Sequence, residues 1–207
     1  MPSGLRERKK QEARQRISDV ATALFIEHGF DNVTVAEVAE AAGFSKVTVF
    51  NYFPRKEDMF LDLQSEAEEL LVGAIRGRPP GQPVAEAVRA LMHRLLVEKH
   101  PLSGALPHMA PFGRVVADSP ALCSRAREQR DELATMVATL VTEETGDPAG
   151  ATLIGGLLLT TVSTAVTTPI RRLVAGHAAA AVAADQPGVI DHAFDLLVNG
   201  IGDVGAR

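Results

Sequence analysis

The sequence predicts an all-α protein of about nine helices, and three observations carry that expectation. Apolar residues recur at i, i+3, i+4 and i+7 along most of the 207 residues. Helix-starting and helix-stopping residues punctuate those stretches at short intervals. Hairpin turns and clean period-two alternation, the marks of strands, are scarce.

The elements follow in order. Ile17, Val20, Ala21, Leu24 and Phe25 keep the helical period, so a first amphipathic helix is expected over about 8–28, closed by Gly29. Thr34, with Glu37 three residues on, forms a capping-box pattern and opens a second helix with the stripe Val35, Val38, Ala39 and Ala42. Gly43 ends it. Ser45 caps a short third helix that stops near Pro54, because a residue preceding proline avoids the helical region. A fourth helix is expected over about 55–75, broken by "RGRPPGQP". Then come a helix at about 84–98, a short one within "HPLSGALPHMAPFG" and another at about 120–145. A long helix starts at Asp147-Pro148, with aspartate as cap and proline in the first turn. An Ala-rich passage then leads to a last helix at about 187–201.

Composition is that of a soluble globular protein, 46% hydrophobic and 23% charged. One cysteine, Cys123, cannot form an internal disulfide, which suits a reducing cytoplasm. The basic start has no apolar run behind it, so a secretory signal is not expected and the localisation expected is cytoplasmic. The net charge of −5 does not suggest nucleic acid, but its distribution does more. Residues 1–56 carry nine Lys/Arg against seven Asp/Glu, whereas the remainder carries twelve against nineteen. Six of the nine cations (Arg6, Arg8, Lys9, Lys10, Arg14 and Arg16) fall within eleven residues. Such a run is usually a solvated face unless the neighbouring residues build a reader.

They do. Two short helices joined by "AAGFS" match a helix-turn-helix. Gly43 permits the turn, Ala39 lets the helices approach, and Val49 and Phe53 anchor the second helix. Lys46, Val47, Thr48, Phe50, Asn51 and Tyr52 are left facing outward or sideways. Lysine can reach guanine acceptors and asparagine can pair with adenine. Thr48, Tyr52 and Lys56 can hold phosphate oxygens, and the caps Thr34 and Ser45 bring backbone N–H donors to the same backbone.

The stretch "TVAEVAEAAGFSKVTVFNYFPRKEDMF" resembles the DNA-binding signature of the TetR family of bacterial transcriptional regulators. The resemblance covers about residues 10–60. It implies an N-terminal three-helix DNA-binding domain, residues 1–54, and a larger helical ligand-binding and dimerisation domain, residues 55–207. It further implies a homodimer on a double-stranded DNA operator and a small-molecule effector. DNA contact is assigned to Thr34, Ser45, Lys46, Val47, Thr48, Phe50, Asn51, Tyr52 and Lys56. Two positions depart from the family pattern. Val47 stands where many members have Gly, and Phe50 where many have Tyr, so a phosphate-binding hydroxyl is lost there.

The C-terminal body says less. Residues 148–170 carry no charge, as a membrane span would, but six Thr, one Ser and three Gly make the run only moderately apolar. A helix buried on nearly all sides of a soluble protein is the expectation, with no membrane partner. On the last helix Val189, Ile190, Ala193, Phe194, Leu196, Leu197, Val198 and Ile201 span an arc of about 200°, wider than one core requires. A second subunit is the simplest partner for the excess. Leu153, Leu157, Val189, Ala193, Leu196 and Leu197 are the expected dimer residues. Met92, Met109, Phe112, Met136, Thr160 and Thr164 are candidate pocket lining for a hydrophobic, uncharged or weakly charged ligand. His93 reads as solvated. No histidine shows metal-ligand spacing, and neither a metal nor a cofactor is expected. An all-α enzyme or carrier is the alternative, but no nucleophile–base pairing or phosphate loop supports catalysis.

Overall fold

The computed structural model describes residues 3–200, with side chains from Arg8 onward. Among the described residues there is no strand. Nine α-helices follow one another: α1 (Ser3–His28), α2 (Val35–Ala42), α3 (Lys46–Tyr52), α4 (Gln64–Arg76), α5 (Val84–Val97), α6 (Met109–Asp118), α7 (Pro120–Thr145), α8 (Pro148–Val174) and α9 (Ala179–Asn199). Short 3-10 turns lie at Glu57–Met59 and Pro101–Ser103. The chain forms two compact units. The first runs to Asp62 and also takes in Arg114–Ala126; the second holds Leu63–Gly113 and the chain from Arg127 onward.

The first unit is organised on α1. Ile17, Ala21 and Phe25 are buried on one face, each worth about 1.5–3 kcal/mol for the larger side chains. Val38, Ala39 and Ala42 of α2 and Val49 of α3 are buried, as are Phe53, Met59 and Phe60. The Phe25 ring meets Phe30 edge-on at 4.9 Å and Phe60 at 5.8 Å between centroids. Arg125 Nε donates to Asp58 Oδ1 at 2.7 Å, and both side chains are largely shielded, so the start of α7 is fastened within this unit.

The second unit has an apolar core that includes Ile75, Val88, Leu95, Val137, Leu158, Ile190 and Phe194. A smaller cluster is built from Met109, Leu173 and Val182. Asp147 caps α8 as expected, accepting from the N–H groups of Ala149 and Gly150 at 3.1 and 3.0 Å.

Four expectations are corrected. The helix expected over 55–75 begins only at Gln64. Met59 and Phe60 are consecutive yet both buried, which draws the chain into a tight 3-10 turn before the helix restarts. The last helix begins at Ala179, so the Ala-rich passage is helical and Pro187 lies inside it. The carbonyl this proline leaves without a helical donor belongs to Ala183, an exposed residue, so the helix continues. The expected end at residue 201 lies outside the described residues. α8 is long and apolar enough to span a membrane by length and composition, but it is not buried all round. Ala151, Gly155, Leu158 and Ala165 face the core, whereas Leu153, Ile154 and Leu157 are exposed. His93 is not simply solvated, because its Nε2 lies 2.8 Å from Asp191 Oδ1. Arg89 reaches Asp195 Oδ1 at 2.6 Å, so part of the polar arc of α9 serves α5.

Candidate nucleic-acid interface

The caps expected around α2 and α3 are present and set the reading helix. Thr34 Oγ1 accepts from the Glu37 N–H at 3.3 Å, and the Thr34 N–H donates to the Glu37 carboxylate at 2.7 Å. That N–H, with the Thr34 hydroxyl donating to the same carboxylate at 2.8 Å, holds the Glu37 carboxyl below its ordinary pKa. At the other end Gly43 takes φ +78°, a left-handed conformation that glycine adopts without strain. The N–H groups of Gly43 and Phe44 then bond the carbonyls of Glu40 and Ala39 at 3.1 and 2.8 Å, closing α2 and turning the chain sharply. Ser45 Oγ accepts from the Thr48 N–H at 3.1 Å and starts α3.

With Val49 and Phe53 buried, the orientation of α3 is settled. Lys46, Val47, Phe50 and Asn51 are exposed, Val47 to 71% and Phe50 to 40%. Thr48 and Tyr52 are half-buried on the flank, and the Thr48 hydroxyl is shared with Ser45 Oγ at 2.8 Å. Thr34 and Ser45 are exposed at the starts of their helices. Phe50 has a role that the sequence did not suggest, since its ring lies 5.9 Å from Lys46 Nζ. That is the outer reach of a cation–π contact, so the ring forms a platform beside the lysine.

Two basic residues are placed differently from the sequence reading. The Lys56 ammonium donates to the carbonyl of Phe30 and sits 4.1 Å from the Phe30 ring centre and 5.3 Å from that of Phe25. Desolvation in that setting lowers its pKa. The cation is therefore committed to the interior edge of the unit rather than held out for phosphate. Arg14 likewise folds inward, donating to the Asp62 carbonyl at 3.0 Å and lying 4.4 Å over the Phe53 ring. Arg8, Lys9, Lys10 and Arg16 remain exposed along α1, Arg8 beside Glu12 at 3.4 Å; the side chain of Arg6 lies outside the described residues.

In the second unit the expected pocket residues do not meet in one cavity. Met92 and Met136 belong to the main core, and Met109 and Phe112 to the smaller cluster. Thr160 and Thr164 are exposed, with hydroxyls bonded to the carbonyls of Gly156 and Thr160. A surface groove of about 490 Å³ lies elsewhere, between α4 and α5, beside Gly73, Ala74, Ala87, Ala90 and Arg94. Of the expected dimer residues, Leu153 and Leu157 are exposed, while Val189, Ala193, Leu196 and Leu197 are half-buried on the flank of α9.

Residues 17–63, the stretch carrying this geometry, match the bacterial regulatory proteins of the tetR family. This stretch is that of a tetR-family DNA-binding domain. The chain is 31% identical over 148 residues to the HTH-type transcriptional regulator TcmR of Streptomyces glaucescens, a match covering 69% of this chain and 65% of TcmR. It is 40% identical over 58 residues to the HTH-type transcriptional repressor AcnR of Corynebacterium glutamicum, covering 28% of this chain and 31% of AcnR. The chain thus spans less than two thirds of the length of these relatives. The crystal structure of Thermus thermophilus FadR, a TetR-family repressor solved in complex with lauroyl-CoA, shares the fold. It superposes with a TM-score of 0.55 at 24% identity, covering 90% of this chain and 94% of FadR.

Proposed function

We propose that this chain is a homodimeric, sequence-specific transcriptional repressor that a small-molecule effector releases from an inverted-repeat operator. The observation that carries the reading is the sorting of α3: Val49 is buried while Lys46, Val47, Phe50 and Asn51 form its exposed face. We assign DNA binding to residues 1–54 and effector binding and dimerisation to residues 55–207. Lys46 and Asn51 are the base readers, and Val47 offers a methyl surface to thymine. Thr34, Ser45, Thr48 and Tyr52 fix the register on phosphates. Arg8, Lys9, Lys10 and Arg16 add salt-dependent attraction. Phe50 acts through Lys46, and the place of Lys56 is to brace the unit.

The dimer supplies two reading helices for two half-sites. Support for it comes from the exposed apolar face of α8, with Leu153, Ile154 and Leu157, beside the half-buried Leu196 and Leu197 of α9. The effector is hydrophobic and enters the apolar interior of the second unit, where Met92 and Met136 of the main core are pliable walls. It acts by preferring the state that does not fit the operator. The protein works in the cytoplasm and has no catalytic role. Selection of bound fragments from a random duplex pool tests the reading, with anisotropy on the enriched site. Lys46→Ala combined with Asn51→Ala abolishes the preference for that site over scrambled DNA; a preference unchanged in the double variant overturns the proposal.

A further inference from the structure

α8 contains a proline three-quarters of the way along it, and a glutamine from the next helix repairs what the proline removes. Pro169 has no N–H, so the carbonyl of Ala165, one turn back, loses its helical donor, and the pyrrolidine ring pushes against that same carbonyl. Ala165 is fully buried, so water cannot take the donor's place at low cost. Gln186 of α9 is 1% exposed, and its Nε2 lies 2.9 Å from the Ala165 oxygen. The same nitrogen reaches the carbonyl of Ser103 at 3.5 Å. Two carbonyls facing one end of the carboxamide require the NH2 end there, because the oxygen would be repelled by both.

The 101–104 turn is fitted to the same part of α8. Gly104 has φ +71°, and a Cβ at that position would lie 2.2 Å from the Val166 oxygen and 3.3 Å from Pro169 Cγ. Only glycine allows the Pro101–Ser103 turn to close on α8 at the residues that the proline loosens. Three segments therefore meet at one defect: the turn, the proline-bearing turn of α8 and α9.

We infer that Gln186 is the surrogate backbone donor of α8, and that its side-chain bond is a latch by which α9 and the 101–104 turn hold the helix in one conformation at Pro169. When the latch opens, Ala165 is left with a buried bare carbonyl, and the helix beyond Pro169 is released from the part bearing Leu153 and Leu157. The inference stands on contacts within the second unit and does not depend on DNA binding or dimerisation.

A thermodynamic cycle tests it. Gln186→Met keeps length and volume but removes the donor, and lowers Tm by roughly 4–8 °C. Pro169→Ala restores the N–H, so in that background Gln186→Met lowers Tm by less than half as much. Equal losses in the two backgrounds overturn the proposal. If Gln186→Met alone does not fold, recovery of folded protein in the double variant supports the latch, and failure in both backgrounds overturns it. Hydrogen exchange in the wild type gives a second readout that needs no variant. The Gln186 carboxamide, observed in 15N-glutamine-labelled protein, exchanges at least tenfold more slowly than the carboxamide of exposed Gln11; equal rates sink the proposal.

Discussion

α3 and α8 both expose apolar side chains, and the comparison shows how little exposure alone decides. On the seven-residue α3, Val47 and Phe50 stand beside Lys46 and Asn51, so the surface mixes methyl and ring contacts with hydrogen-bond donors. On the 27-residue α8, Leu153, Ile154 and Leu157 are followed by Thr160 and Thr164, with no charged residue before Arg171. The first surface suits a charged, grooved polymer, and the second suits another apolar face. Neighbours, not the exposed residue, carry the information.

The contrast can be broken in several places. The largest effect is expected where α3 is anchored. Phe53→Ala empties a buried site beneath Arg14 and costs about 3–5 kcal/mol in a urea titration. A loss below about 1 kcal/mol would mean that α3 is not held by this ring. Next, Leu153→Glu with Leu157→Glu places two charges on the exposed face of α8. On the proposed dimer, scattering mass should fall from about twice the 22.0 kDa chain to one chain, with helix content unchanged. A mass unaffected by the double substitution removes this face from the dimer. Thr34→Ala deletes the α2 cap and costs about 1 kcal/mol. Glu37 loses its hydroxyl partner but keeps the N–H of residue 34, so the part of stability lost when pH falls through its lowered pKa shrinks without vanishing.

The smallest effect concerns Asp62. Burial raises its carboxyl pKa, although the Ser18 hydroxyl donates to it. Between the unfolded and the raised folded value, the native state holds the extra proton. Stability therefore falls as pH rises through that window and is constant above it. Asp62→Asn keeps an acceptor for Ser18 and removes the ionisation, so the variant is at least as stable as wild type at neutral pH. Acid-to-neutral stability profiles check this, and a variant less stable than wild type at neutral pH refutes it.

Legibility in the sequence followed the same contrast. The turn between α2 and α3 could be read because each signal there is local. Thr34 and Glu37, Gly43, and Ser45 each satisfy backbone groups a few residues away. Lys56 could not be read, since its partner is the carbonyl of Phe30, 26 residues earlier. Nor could the inward turn of Arg14, which depends on Asp62 and Phe53. In the second unit α8 and α9 are apolar over more than one face, so periodicity does not say which face is covered. The sequence suggested burial all round for α8, where the structure leaves a face open. Pro187 misled for a related reason: a proline that starts helices in isolation is tolerated inside one when the carbonyl it strands belongs to an exposed residue.

The threonines of α8 have a consequence for how that helix meets water. Thr152, Thr160, Thr161, Thr164, Thr167 and Thr168 each turn the hydroxyl back onto the carbonyl four residues earlier, at 2.7–3.0 Å. A hydropathy scale counts six polar groups, but in this rotamer each side chain shows the outside a methyl, much as valine would. α8 therefore presents a surface more apolar than its composition suggests, even where it is exposed.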